Sequence, residues 1–407
     1  MDVTNSTRQF LQATFFHALR AVDGRRCVAE ALTHCDDRGE VYVVAIGKAA
    51  PAMALGALDV FGDRLTAGLV ISKKGDRSEV DLPRMRHLSA GHPILDEASL
   101  VAGQALLAFI AEADPQRPMV FLISGGTSAL VEVPRGVDLA WLQRLYRWLL
   151  GSGLPIHQVN AVRRQFSQIK GGRLLRYLGG RQVLNMMICD VPDCRPADIG
   201  SGLLVADEVS VPLPVLPSWI RERLPPPEVV ARPVAVDVAH RIVADNRRAR
   251  LAAAAYARER GWVIQHFQEL VVRDCRREAA RIAAALQQAA PQNVLIWGGE
   301  VTVTLPARPG RGGRNQALAL AVADCIAGHD SIVFLAAGTD GSDGMTAECG
   351  AVVDGQTVLR GQRQGYSARQ ALAAADAGTF LQASGDLLCS GATGTNVMDL
   401  YLGAKVR

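Results

Sequence analysis

Short apolar runs recur along this chain, and each stops at a glycine-rich or acidic turn. In most cases a helical pattern begins a few residues later. Val41–Ile46 runs into Gly47-Lys48-Ala49-Ala50, and 67–72 ends at Lys73-Lys74-Gly75. Met119–Ile123 leads to Ser124-Gly125-Gly126-Thr127-Ser128, and 183–189 leads to Asp190-Val191-Pro192-Asp193. The run 331–336 enters Ala337-Gly338-Thr339-Asp340-Gly341-Ser342-Asp343-Gly344. Apolar runs rich in β-branched residues belong to strands buried on both faces of a parallel sheet. The expected class is therefore α/β. At 407 residues the chain is too long for one ordinary core, so more than one domain is expected. Residues 209–237 hold seven prolines, with Pro225-Pro226-Pro227 together, and read as an interdomain crossing. This divides the chain into residues 1–235 and 236–407.

The turns carry the chemistry. Lys48 follows a strand at the end where open α/β sheets bind ligands. The GxxxxGK[ST] spacing of a Walker A loop is absent around it. Ser124, Gly125, Gly126, Thr127 and Ser128 combine glycines and hydroxyls at a strand-to-helix turn, which suits an anion nest. A GxSxG nucleophile elbow is absent, since position 130 is Leu, so ligand binding is preferred to acyl chemistry. His92 precedes Pro93, which favours extended backbone. Residues 160–174 read as one polar helical stretch that puts Arg163 and Lys170 on one face.

The densest stretch is 297–316. An apolar run from Asn293 ends at Gly298-Gly299-Glu300, and Val301, Val303 and Leu305 then alternate with threonines as a half-buried strand would. Arg308, Arg311 and Arg314 stand among glycines just before a helix opens at Asn315-Gln316. Free backbone N–H groups at such a helix start, with added arginines, predict a phosphate site. Asp190 and Asp193 at one strand tip, and Asp340 and Asp343 at another, suggest magnesium held with substrate phosphates. Small residues around Thr395 and Asn396 form a further ligand-type turn.

Composition removes other classes. Net charge is +4 without a basic stripe, which argues against nucleic acid. No apolar run approaches the ~20 residues of a membrane span, and the first residues lack signal-peptide character. A cytoplasmic enzyme is expected. The eight cysteines, Cys189 and Cys194 among them, lack zinc-type spacing and read as free, mostly buried thiols.

The motifs AIGKAAPAMA, AGHPILDE, LISGGTSAL, NAVRRQFSQIKGGRL, GGEVTVTL, GRGGRNQ, GTDGSDG, GAVVDG and TGTNVMDL, in this order, resemble the glycerate 2-kinase family of the MOFRL type. The resemblance spans nearly the whole chain. It implies a Rossmann-like N-terminal domain, a MOFRL-type C-terminal domain and an active site in the cleft between them. It also implies transfer of the ATP γ-phosphate to the 2-hydroxyl of D-glycerate. The family's catalytic lysine and arginine fall on Lys48 and Arg314, with Asp190 a further catalytic candidate. Lys170, Glu300, Asn315, Thr395 and Asn396 join the 124–128 turn as nucleotide-binding candidates. The chain departs from the family pattern at Thr127, at 201–204 and at 345–349, where Ala347 replaces an aspartate. An NAD(P)-dependent hydroxypyruvate reductase is the alternative, but no strand ends in GxGxxG. A non-catalytic sensor of a small hydroxy-acid is a third reading. A homodimer is one option for assembly.

Overall fold

A computed structural model describes residues 3–33, 39–75, 82–205, 212–226 and 236–406. The chain forms two compact units. One comprises Gly24–Ala244 with Gly394–Asn396; the other comprises Met1–Asp23, Asp245–Thr393 and Val397–Arg407. A single cut at 235/236 does not follow this division. The chain passes between units at 23/24, 244/245, 393/394 and 396/397. The described part of the proline-rich stretch lies inside the first unit; its residues 209–211 and 227–235 are outside the described residues.

The first unit is built on β1 (Val41–Ile46), β2 (Leu65–Lys73), β3 (Met85–Ala90), β4 (Met119–Ile123), β5 (Val183–Ile188) and β6 (Val238–Ala244). Their order is β3-β2-β1-β4-β5-β6, and every pairing is parallel. This is the order of a doubly wound sheet, with its switch point between β1 and β4. Val44, Ile46, Phe121 and Ile123 form the middle of one core against the helix Glu97–Glu112. The capping box of that helix, Asp96 with Ser99, fixes its start.

The second unit holds β7 (Val263–His266), β8 (Asn293–Gly299), β9 (Ile332–Gly338), β10 (Gly350–Asp354), β11 (Leu387–Leu388) and β12 (Asp399–Lys405), in the order β11-β10-β9-β12-β8-β7. The expectation of a largely parallel second sheet needs correction. Only β7 and β8 pair in parallel; β12 lies antiparallel between β8 and β9, and β10 runs antiparallel to β9 and β11. The helix Arg314–Cys325 is buried from Asn315 to Ala323 on every side. Its Ala/Leu pattern therefore lacks a polar face. Trp297 stacks on Phe267 at 4.8 Å beneath it.

Several local expectations also change. Residues 301–305 are not a strand, because their backbone is used by the neighbouring 271–275 segment: the Glu300 N–H bonds to Val271 and that of Thr302 to Arg273. The alanine-rich stretch 240–261 reads as a single helix, but the structure gives it the end of a strand, β6, and then a helix from Asn246 to Arg258. The stretch 160–174 breaks after Gln165, so Arg163 and Lys170 do not share a helix face. Cys189 and Cys194 are not free thiols but a disulfide. Cys27, Cys275 and Cys349 are free and buried, as expected, whereas Cys325 and Cys389 are free and exposed.

Candidate active site

In the first unit the sheet order brings the ends of β1, β4 and β5 side by side. Gly47, at φ +131°, lets β1 close against Ser124, whose Oγ a Cβ at position 47 would overlap. The Lys48 N–H then donates to the Gly125 carbonyl at 2.8 Å, and the Ser124 N–H to that of Ile46 at 3.0 Å. The turn after β4 is thereby sewn to the turn after β1. Gly126, at φ +88°, leaves room for His92 and Lys48: a Cβ there would lie 3.0 Å from His92 Cδ2 and 3.4 Å from Lys48 Cγ. A Cβ on Gly125 would run into Asp190 and Asn396. Asn396 Nδ2 donates to Asp190 Oδ2 at 3.4 Å. Lys48, His92, Gly125, Gly126, Asp190 and Asn396 thus form one cluster at the switch point, where doubly wound sheets bind ligands.

The hydroxyls of the turn do other work. Ser124 Oγ accepts from the Ala49 N–H at 3.1 Å, and Thr127 Oγ1 lies 2.9 and 2.7 Å from the carbonyl oxygens of Ile46 and Ser124. Both residues are fully buried, and Ser128 Oγ is bonded to Ser201 Oγ at 2.7 Å. Any ligand held by this turn therefore meets its backbone N–H groups. Lys170 is not a surface cation. It is completely buried, with Nζ 2.5 Å from Glu132 Oε2 and 3.1 Å from the Val131 carbonyl, and burial lowers its pKa. Both partners are enclosed, the Lys170 side chain at 0% and the Glu132 side chain at 1% exposure. Thr395 is buried.

In the second unit the carboxyl ends of β8 and β9 meet the start of β12. Asp399 sits opposite both Gly299 and Gly338. Arg314, the first residue of its helix, donates from Nε to Asp399 Oδ2 at 2.6 Å and from Nη2 to Oδ1 at 3.0 Å, and from Nη1 to Glu300. Burial opposes its charge, but the Asp399 and Glu300 carboxylates outweigh this and raise its pKa. Asp399 is 1% exposed, so it is a fixed partner, whereas the Glu300 side chain is 42% exposed.

The predicted phosphate nest at this helix start is already filled. Asp343 Oδ1 accepts from the Asn315 N–H at 3.1 Å, and Oδ2 from the Gln316 N–H at 2.8 Å. Asn315 Nδ2 also turns to Asp343, at 3.3 Å, and Asn315 is buried. Burial pushes the Asp343 carboxyl up to about 7, against the backbone N–H groups that favour its ionised form. Arg311 is bound to Glu348 at 2.6 Å and to Gln382 at 2.8 Å, while Arg308 is exposed.

The four carboxylates expected to hold magnesium are placed differently, with Asp190 in the switch-point cluster. Asp343 spends both oxygens on the helix, Asp340 Oδ1 accepts from the Ser342 N–H at 3.2 Å, and Asp193 is exposed. Among the described residues no group of three or more His, Cys, Asp or Glu side chains could hold a metal ion. Asp399 was missed as a site residue; the helix-opening arginine that needs a buried partner was its only signal.

Residues 10–218 match the family described as a domain of unknown function (DUF4147), and residues 293–399 match the MOFRL family. The chain is 33% identical to the D-glycerate 2-kinase of Thermotoga maritima over 96% of each chain. It is 34% identical to an Agrobacterium vitis protein with the provisional name hydroxypyruvate reductase, over 97% of this chain and 94% of that one. The crystal structure of a glycerate kinase from Thermotoga maritima superposes with a TM-score of 0.85 at 30% identity, covering 99% of this chain and 100% of that one. Fold and matches together define a two-unit α/β kinase. The chain belongs to the glycerate 2-kinase family of the DUF4147–MOFRL type.

Proposed function

We propose that this protein transfers the γ-phosphoryl group of ATP to the 2-hydroxyl of D-glycerate, giving 2-phosphoglycerate and ADP. The observation that carries the reading is the switch-point cluster, where Lys48 and the 124–128 turn meet Asp190. Phosphoryl transfer depends on positioning and on neutralising charge, more than on covalent chemistry. The backbone N–H groups of the turn hold substrate oxygens. Lys48 and Arg314 stabilise charge that develops on the transferred group. Asp190 takes the hydroxyl proton as the bond from glycerate oxygen to phosphorus forms, and the bond to the β-phosphate oxygen breaks with its electron pair leaving on ADP. Magnesium enters as part of the MgATP substrate.

The name of the Agrobacterium relative favours a second reading, reduction of hydroxypyruvate by NAD(P)H. None of the observed strand ends carries the GxGxxG fingerprint that this chemistry uses. A coupled ADP-release assay with D-glycerate, run beside NADH oxidation with hydroxypyruvate, separates the two. ADP release that depends on glycerate supports the kinase. NADH oxidation without ADP release supports the reductase, and neither signal supports a sensor.

A further inference from the structure

A cavity of about 780 Å³ opens beside Arg314, wholly within the second unit. Its walls are mostly apolar. Val301 is buried and Val303 half-buried, whereas Leu305 is 63% exposed and Met345 96% exposed at the rim. Ala317 and Ala377 line the inner part. Charged groups line it at Arg314 and at the Arg311–Glu348 ion pair. Three of the five Arg314 N–H bonds go to Glu300 and Asp399, which leaves two for a ligand. Large apolar side chains left in water at the mouth of such a cavity mark a ligand surface. Pockets of this size, mainly apolar with few polar groups at one end, hold organic ligands rather than lone anions. A three-carbon hydroxy-acid is too small and too polar for it.

The geometry points to a nucleoside diphosphate or triphosphate as occupant, its base between Leu305 and Met345 and its phosphates toward Arg314. This rests on the kinase reading, and deepens it by assigning the nucleoside part to the second unit. Glu300, the exposed partner, is the group that an incoming phosphate displaces. Asp399 keeps the guanidinium aimed.

The test is calorimetric binding of ADP, adenosine and inorganic tripolyphosphate to the full chain. Ala347→Trp fills the cavity from an exposed lining position, and Leu305→Asp spoils its apolar wall. Both positions are exposed, so folding should survive, as circular dichroism and melting curves would verify. Each variant should weaken ADP and adenosine by about tenfold or more while tripolyphosphate stays within about twofold. Variants that bind ADP as wild type does overturn the nucleoside site and leave the kinase reading standing. Equal weakening of ADP and tripolyphosphate also overturns it, because the cavity would then hold the phosphate chain. A wild-type protein that binds no nucleotide overturns both the site and ATP as donor.

Discussion

Arg314 and Asp343 show how much one helix start can decide. Two buried-side carboxylate oxygens cap the helix, and a third residue, Asp399, fixes the arginine above it. Lysine at position 314 keeps the charge but cannot span Asp399 with two parallel bonds. If Arg314 stabilises charge that develops during transfer, Arg314→Lys loses on the order of 10³-fold in kcat. This equals about 4 kcal/mol of transition-state stabilisation. Steady-state kinetics should show kcat falling far more than KM rises; the reverse would make Arg314 a ground-state tether. Arg308→Lys, at an exposed position, should change little. Arg311 is not an equivalent control, since Glu348 and Gln382 hold it. Asp343 gives a pH prediction. Its folded pKa of about 7 lies above the ordinary carboxyl value near ~3.9. Its contribution to stability is therefore present below about pH 4 and lost as pH rises through about 7. The melting temperature of wild type, measured relative to Asp343→Asn, should drop between these limits. A relative rise would mean that the helix N–H groups win and the carboxylate is held ionised.

At the scale of elements, strands with continuous apolar runs were legible. Val41–Ile46 and Met119–Ile123 match the structure, because central strands buried on both faces are built mainly from apolar residues. The helix Glu97–Glu112 carries a start signal in its sequence, since Asp96 is a capping residue type and accepts from the Ser99 N–H. The strand β6 was not, since as an edge strand it exposes most of its residues and its sequence reads as helical alanine and arginine. The strand-like alternation at 301–305 misled because Tyr401 and the 271–275 loop, both distant in sequence, claim that backbone. The candidate site was legible where glycines betray close approach, as at Gly47, Gly125 and Gly126. It was not legible where partners come from afar: nothing local says that Glu132 buries Lys170 or that Asp343 fills the helix start. The Cys189–Cys194 disulfide brackets Asp190 in a short loop. Closing so short a loop restricts the unfolded chain by about 2 kcal/mol. Cys194→Ser should lower the unfolding free energy by about that much in denaturant titrations under oxidising conditions. Equal stability with and without a reductant would remove the cross-link from the account.

For the whole molecule, the N-terminal helix Val3–Ala21 belongs with the C-terminal half of the chain. It buries Leu11, Phe15 and Leu19, stacks Phe10 on Trp262, and sets Arg8 on the buried carboxylates of Asp354 and Asp386. Removing residues 1–23 exposes that surface and takes one cation from those carboxylates. Calorimetry should then show the second unit melting well below the wild-type temperature, whereas an unchanged profile would show the helix to be dispensable. The central claim concerns the reaction itself, and the position of the new phosphate tests it most directly. Wild-type protein is incubated with MgATP and D-glycerate, and the product is read by proton–phosphorus correlation NMR. The account predicts phosphorus coupled to the C2 proton, as in 2-phosphoglycerate. Coupling to the C3 protons, or no phosphorylated acid at all, would contradict it.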